Sequence, residues 1–424
     1  MNNEKKIGFE DAEILLPDFN KIDATKWSVV ACDQYTSEPK YWKEAETLVG
    51  DAPSTLSMIL PEVYLAETEA RVPLINQKMK EIMKEHLIAH PNSMILLERT
   101  QSDGKVRKGL IGAVDLECYD YRKGSDSLIR ATEGTVLERI PPRVAIRRDA
   151  PLELPHVMLL IDDDHRTVIE PLLDECQGKK PLYDFDLMLG GGHVRAYALD
   201  TNQQDYAKEK LAKLITPDSI EERYGNSSLA PLLFAVGDGN HSLATAKASY
   251  EEVKAAIGAD AAKNHPARYA LAEVVNLHDD ALQFEPIYRV VFHCDPKALL
   301  SELKDYLSKL SGDAAAQTMR CITAAEEYDV NAAHPVQQLT VGTLQVFLDE
   351  YAKKNPATEI DYIHGEDSLR SLITNDTTVG FLFDGMRKDE LFRTVIYDGA
   401  LPRKTFSMGH APDKRYYLEC RRIK

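Results

Sequence analysis

The chain has 424 residues, enough for two domains or several packed layers. Hydrophobic residues at 44% and charged residues at 28% are ordinary for a soluble globular protein, but 51 Lys and Arg against 68 Asp and Glu leave a net charge of -17. This balance excludes a duplex-binding surface, which needs a basic footprint, yet permits a small anion held by a local cluster of cations.

The opening segment, Met1 to Asp11, has no apolar core after its two lysines, so no signal peptide is expected. No apolar run reaches the roughly 18 residues of a membrane span. Trp27 to Cys32 is short, apolar and β-branched and predicts a buried strand, broken by Asp33 to Pro39 before a helix over Tyr41 to Leu48. Ala66 to His90 carries a long amphipathic helical pattern. Ser93 to Arg99 and Lys108 to Leu116 predict two strands joined by a turn at Ser102-Asp103-Gly104. Val157 to Ile161 is a further strand, running into Asp162-Asp163-Asp164-His165, and Asp205 to Leu214 is helical.

Pro231 to Val236 predicts a buried strand that delivers the chain to Gly237, and Leu243 to Gly258 a strong helix. Tyr269 to Leu277 and Ile287 to Phe292 predict strands. Beyond Asp295, helices (Lys297 to Leu310, Val341 to Lys354, Asp367 to Thr374) alternate with strands (Val379 to Phe383, Phe392 to Tyr397), and Arg415 to Ile423 is strand-like. The expectation is an α+β or mixed α/β protein, with residues 1–294 as a catalytic region and 295–424 as a C-terminal α/β region contributing to the site. The six cysteines (Cys32, Cys118, Cys176, Cys294, Cys321, Cys420) show neither a C-x-x-C pair nor zinc spacing and read as reduced thiols of a cytoplasmic protein.

The richest segment is Gly237 to Lys247, G-D-G-N-H-S-L-A-T-A-K, between a strand and a helix. Two glycines allow unusual backbone angles, and the helix N-terminus favours an anion. Asn240, His241 and Ser242 add donors, while Asp238 adds a carboxylate able to hold a metal ion or take a proton. The same residues also make a tight turn with Asp238 or Asn240 as a helix cap.

This segment resembles the phosphate-binding D-G-x-H-R-x-x-A-A signature of the ParB/sulfiredoxin-like superfamily. More closely, the chain resembles the domain of unknown function 1015 family through ordered blocks. These are Cys32 to Trp42 (C-D-Q-Y-T-S-E-P-K-Y-W), Arg130 to Thr135, the D-G-N-H-S segment, Asn276 to Arg289, and Leu401 to Glu419. The resemblance implies a ParB/sulfiredoxin-like core and an activity akin to a pyrophosphate-dependent L-serine kinase. Glu38 in Thr36-Ser37-Glu38 is then the base on the serine hydroxyl, and Asp238 is essential. Three positions depart from the pattern: Ser242 replaces an arginine, Ile287-Tyr288-Arg289 stands for Thr-His-Arg, and Ser407-Met408-Gly409-His410 for Phe-Tyr-Pro-Lys. Another cation must therefore replace the missing guanidinium.

Phosphoryl transfer to an alcohol needs an oriented hydroxyl, a carboxylate and cations around the phosphoryl oxygens. The candidates are Glu38, Asp238 and His241 as catalytic residues, with Asp238 also holding Mg²⁺. Thr36, Ser37, Gly239, Asn240, Ser242, Arg143, Arg147, Arg289 and Lys404 are the candidates for phosphate or substrate binding. Arg139 and Arg148 lie in the same basic run as Arg143 and Arg147. Gly190-Gly191-Gly192-His193 reads as a mobile surface loop, a lid or a second phosphate cradle, and the Asp162 run as an acidic turn or a Mg²⁺ site. The expected reaction makes O-phosphoserine from free serine, with pyrophosphate as co-substrate and a nucleotide as the other possible donor. The rivals are a phosphoserine phosphatase and a nucleotide-binding regulator. Oligomeric state is not legible.

Overall fold

The computed structural model describes residues 6–134 and 140–424. The chain forms two compact units: one from residues 1–131, 135–282 and 409–424, the other from 132–134 and 283–408. The break expected at 295 falls instead inside the second unit. Its longest strand, Phe284–Phe292, begins before that point, and Asp295 caps the following helix Pro296–Ser308 through the amides of Lys297 and Ala298. The last 16 residues return to the first unit.

The first unit is built on a ten-stranded mixed sheet. Its middle runs Val106–Asp115, Tyr269–Asn276, Met158–Ile161, Phe234–Asp238. Phe234–Asp238 pairs antiparallel with Met158–Ile161 and parallel with Ile129–Ala131. Strands flanked on both sides read as unbroken apolar runs, and Phe234, Ala235 and Val236 are fully buried. Helices Ile169–Cys176, Thr201–Lys213 and Asn240–Ile257 contribute to one core face with Leu172, Leu211, Leu243 and Tyr250. The second unit has its own mixed α/β core around Phe284–Phe292, which pairs antiparallel with both Glu359–His364 and Val379–Leu382. The fold is therefore mixed α/β, and no described helix is long and apolar enough to cross a membrane.

Several local expectations change. The expected strand Trp27 to Cys32 is buried from Trp27 to Ala31, but it forms only the isolated bridge Val30–Arg415, because its partner is the irregular C-terminal tail and not a strand. The long pattern from Ala66 divides at His86 into helix Thr68–Glu85 and strand Leu87–Ser93, which pairs with Ala12–Pro17. Phe392 to Tyr397 is helical, within Lys388–Asp398. Leu391, Phe392 and Val395 are buried at helical spacing, and Glu390 accepts from the Arg387 amide at the start. The tail forms only a two-residue strand, Arg421–Arg422.

Candidate active site

The strand Phe234–Asp238 ends in a register shift between Val236 and Asp238, a bulge at Gly237. A Cβ on Gly237 would lie 2.9 Å from Leu160 Cγ, too close for any side chain. Gly239 comes next, with φ +82°, as the N-cap of helix Asn240–Ile257. Gly239 supplies no side-chain cap to the first helical turn, where the helix dipole favours negative charge. Leu243, Ala246 and Tyr250 bury one face of this helix, and Ala244 packs separately with Ile140 and Val144. Burial of Leu243 and Tyr250 contributes about 1.5–3 kcal/mol each. The turn is thus fixed by rigid elements on both sides.

Lys414 lies beside this turn, its Nζ 3.5 Å from Asp238 Oδ1, both side chains half-buried. The lysine backbone is held by a hydrogen bond from the Ala31 amide to its carbonyl, 2.8 Å, and by the Val30–Arg415 bridge. The neighbouring residues lock the tail further. Asp413 accepts from the amide and hydroxyl of Ser102 at 2.7 and 2.8 Å, and buried Arg415 donates to the Ser28 carbonyl at 2.5 Å. Three distant stretches, residues 30–33, 238–242 and 413–416, therefore meet at one place.

Asp33 belongs to the same cluster. Desolvation pushes its carboxyl up, but the His156 imidazole, the Gln34 amide and the Lys414 ammonium together hold it below the usual carboxylate range. His156 is buried, its ring edge packs against Tyr416, and its Nε2 is 3.0 Å from Ser242 Oγ. Burial, with Asp33 alongside, pushes the Cys32 thiol up to about 12, so it stays protonated near neutral pH and serves as packing.

The candidates from the sequence fall in three groups. Asp238, Gly239, Asn240, His241 and Ser242 occupy the turn itself. Thr36, Ser37 and Glu38 form an exposed turn before helix Pro39–Val49. Glu38 takes the N-cap position without a side-chain capping bond. Arg143 and Arg147, from helix Ile140–Arg148, line a cavity that adjoins Ser242, but Arg143 is paired with Glu62, and Arg147 with Glu153 at 2.5 Å. Arg139 lies outside the described residues.

Arg289 is spent structurally in the second unit. It is fully buried and donates to Gln345 Oε1 at 2.7 Å, the Ile287 carbonyl at 2.6 Å and the Arg403 carbonyl at 2.9 Å. It thereby holds the turn on which exposed Lys404 sits at φ +54°, a turn also closed by Thr405 Oγ1 on the Pro402 carbonyl at 2.6 Å. The Asp162 run is likewise structural: Asp162 accepts from Tyr224 and pairs with His278, and Asp163 caps Thr167 and Val168. Sequence reasoning missed Lys414 and His156. Lys414 stood inside the Leu401 to Glu419 block, overshadowed by Lys404; His156 precedes a strand with no pattern around it.

This is a mixed α/β protein whose best-formed site is an anion-favouring strand-to-helix turn with a carboxylate and an ammonium side by side. Residues 17–375 match the family described as Protein of unknown function (DUF1015), and the chain belongs to that family. No curated protein matches the sequence. Among solved structures, the chain is similar to a free serine kinase mutant in complex with AMP. Identity is 10%, with 70% of this chain and 87% of that one covered, at a TM-score of 0.34. It is similar to SbnI with C-terminal truncation from Staphylococcus aureus at 10% identity, covering 70% and 82%, TM-score 0.33. A conserved hypothetical protein from Pyrococcus furiosus is similar at 13% identity, covering 47% and 83%, TM-score 0.27.

Proposed function

We propose that this protein is a phosphotransferase that phosphorylates the hydroxyl of free L-serine, with pyrophosphate as donor. The observation that carries the reading is the Lys414–Asp238 pair at the first turn of helix Asn240–Ile257. The turn supplies backbone donors and a favourable dipole for phosphoryl oxygens. Lys414 supplies the positive charge missing at Ser242, and Asp238 orients the attacking hydroxyl or shares a metal ion. The serine oxygen attacks phosphorus, the bridging P–O bond breaks, and phosphate leaves while Glu38 takes the hydroxyl proton.

Among the described residues no group of three or more His, Cys, Asp or Glu side chains is arranged to hold a metal ion. Asp238 is the carboxylate of this turn that would hold a Mg²⁺ ion. So bound, the ion would neutralise charge on the donor; the protein's own part is to hold the anion, orient the hydroxyl and accept its proton.

The test is direct. Purified protein is incubated with L-serine and pyrophosphate, ADP or ATP, with and without Mg²⁺, and O-phosphoserine is measured. Product with pyrophosphate supports the proposal, and product only with a nucleotide corrects the donor. Phosphate release from phosphoserine without any forward product makes the protein a phosphatase, and silence in all arms sinks the reading.

A further inference from the structure

Behind the first turn of helix Asn240–Ile257, still within the first unit, lies a cavity of about 170 Å³. Its walls are mainly apolar, with Met58, Met79 and Leu271 among them. Two buried polar side chains line it with atoms that find no partner: Asn76 Oδ1 and His156 Nδ1, each residue 9% exposed. An unpaired carbonyl in such a place is unfavourable, and native structures rarely retain one without a reason. The two guanidinium groups in the wall, Arg143 and Arg147, already face carboxylates, so the lining does not call for a charged ligand.

We infer that this cavity is a binding site for a small uncharged molecule with a ring-sized apolar body and one hydroxyl or N–H donor, the donor pairing with Asn76 Oδ1. Apolar cavities of about 150 Å³ accept benzene, so the volume suits a single six-membered ring. The apolar walls supply the affinity, and the carboxamide supplies the orientation. Ser242 connects this site to the phosphate turn: it stands in the first turn of the helix and is bonded to His156 in the cavity wall. The inference is independent of the proposed phosphoryl transfer, because it concerns binding without turnover.

Phenol and toluene are the probes, equal in shape and differing in the donor. Binding is followed by calorimetry and by the thermal midpoint of the full chain. Phenol is expected to bind at least 10-fold more tightly than toluene. Asn76→Leu is expected to raise the midpoint of the ligand-free protein, by removing an unpaired carbonyl, and to abolish the preference for phenol. A second variant, Ala246→Leu, fills the cavity from the helix side and should weaken both probes. The inference is overturned if neither probe binds the parent protein, if phenol shows no preference over toluene, or if Asn76→Leu lowers the midpoint while leaving the preference intact.

Discussion

Two glycine-rich turns in the first unit look alike in sequence and differ in the element to which each leads. At Gly237-Asp238-Gly239 the chain leaves a buried strand and enters a helix, so the backbone donors of the first turn converge on one point. At Gly190-Gly191-Gly192 it passes from strand Tyr183–Asp186 to the antiparallel strand His193–Ala198, and no such convergence arises. The glycines there serve close approach: a Cβ on Gly192 would lie 1.9 Å from the Thr100 carbonyl oxygen, and one on Gly191 would meet the Arg415 guanidinium at 2.8 Å. A glycine run is thus a statement about space, and only the next element decides whether that space suits a ligand.

The largest contrast should come from Asp238→Asn. At the helix turn it should lower kcat/KM for serine phosphorylation by about 10²–10⁴-fold, with a thermal midpoint near the parent's, because half-exposed ion pairs contribute little stability. Steady-state kinetics with a melting curve check both parts; an active Asp238→Asn enzyme would remove the distinction between the turns.

Gly192→Ala should do the opposite. Its new Cβ collides with a backbone oxygen in a strand and sits at φ +76°, so about 3 kcal/mol of stability should be lost. The kinetic constants of the folded fraction should not move. Denaturant unfolding measures the loss, and a changed KM for pyrophosphate would give this turn a ligand role after all.

Lys414→Met is the finer test at the first turn. Losing one charge-assisted contact should raise KM for the phosphate donor about 10-fold, with a smaller change in kcat. An unchanged KM would place the functional cation elsewhere.

The smallest effect concerns the second turn. His193 bridges Asp186 and Asp184 at 2.7 and 2.6 Å. Partial burial pulls its pKa down, but the two carboxylates win and raise it above the ordinary 6.5. Its contribution is therefore complete below about pH 6.5 and fades as pH rises through the raised value. For Asp184, desolvation pushes the carboxyl up, yet His193 and Arg195 hold it below its ordinary 3.8, so its share persists above that value and disappears in acid. These groups are about a third exposed, and screening limits the total to under about 1 kcal/mol. Melting curves at pH 5 and pH 8 should show a slightly steeper decline for the parent than for His193→Gln; parallel curves would assign the hairpin no electrostatic staple.

Much of this protein is legible in the order of its residues alone. Apolar runs such as Val157 to Ile161 and Pro231 to Val236 lead into buried strands, whereas the equally short Phe392 to Tyr397 falls within a helix, and an Ala-rich stretch after Gly239 specifies a helix. Those local rules were sufficient to find the turn carrying Asp238, and the ordered blocks were sufficient to find the family. They could not find its cation. Lys414 and Lys404 sit ten residues apart in one block, equal by composition, and only the pairing of the tail with residues 28–31 sets Lys414 against Asp238. Arg289 looked available for the same reason that it is not: a guanidinium's five donors suit an anion or a set of carbonyls equally well, and burial against Ile287, Gln345 and Arg403 decided between them. Local patterns arise from interactions a few residues apart, whereas a charge acquires its role from whatever the fold brings within a few ångströms of it, and that is settled only in three dimensions.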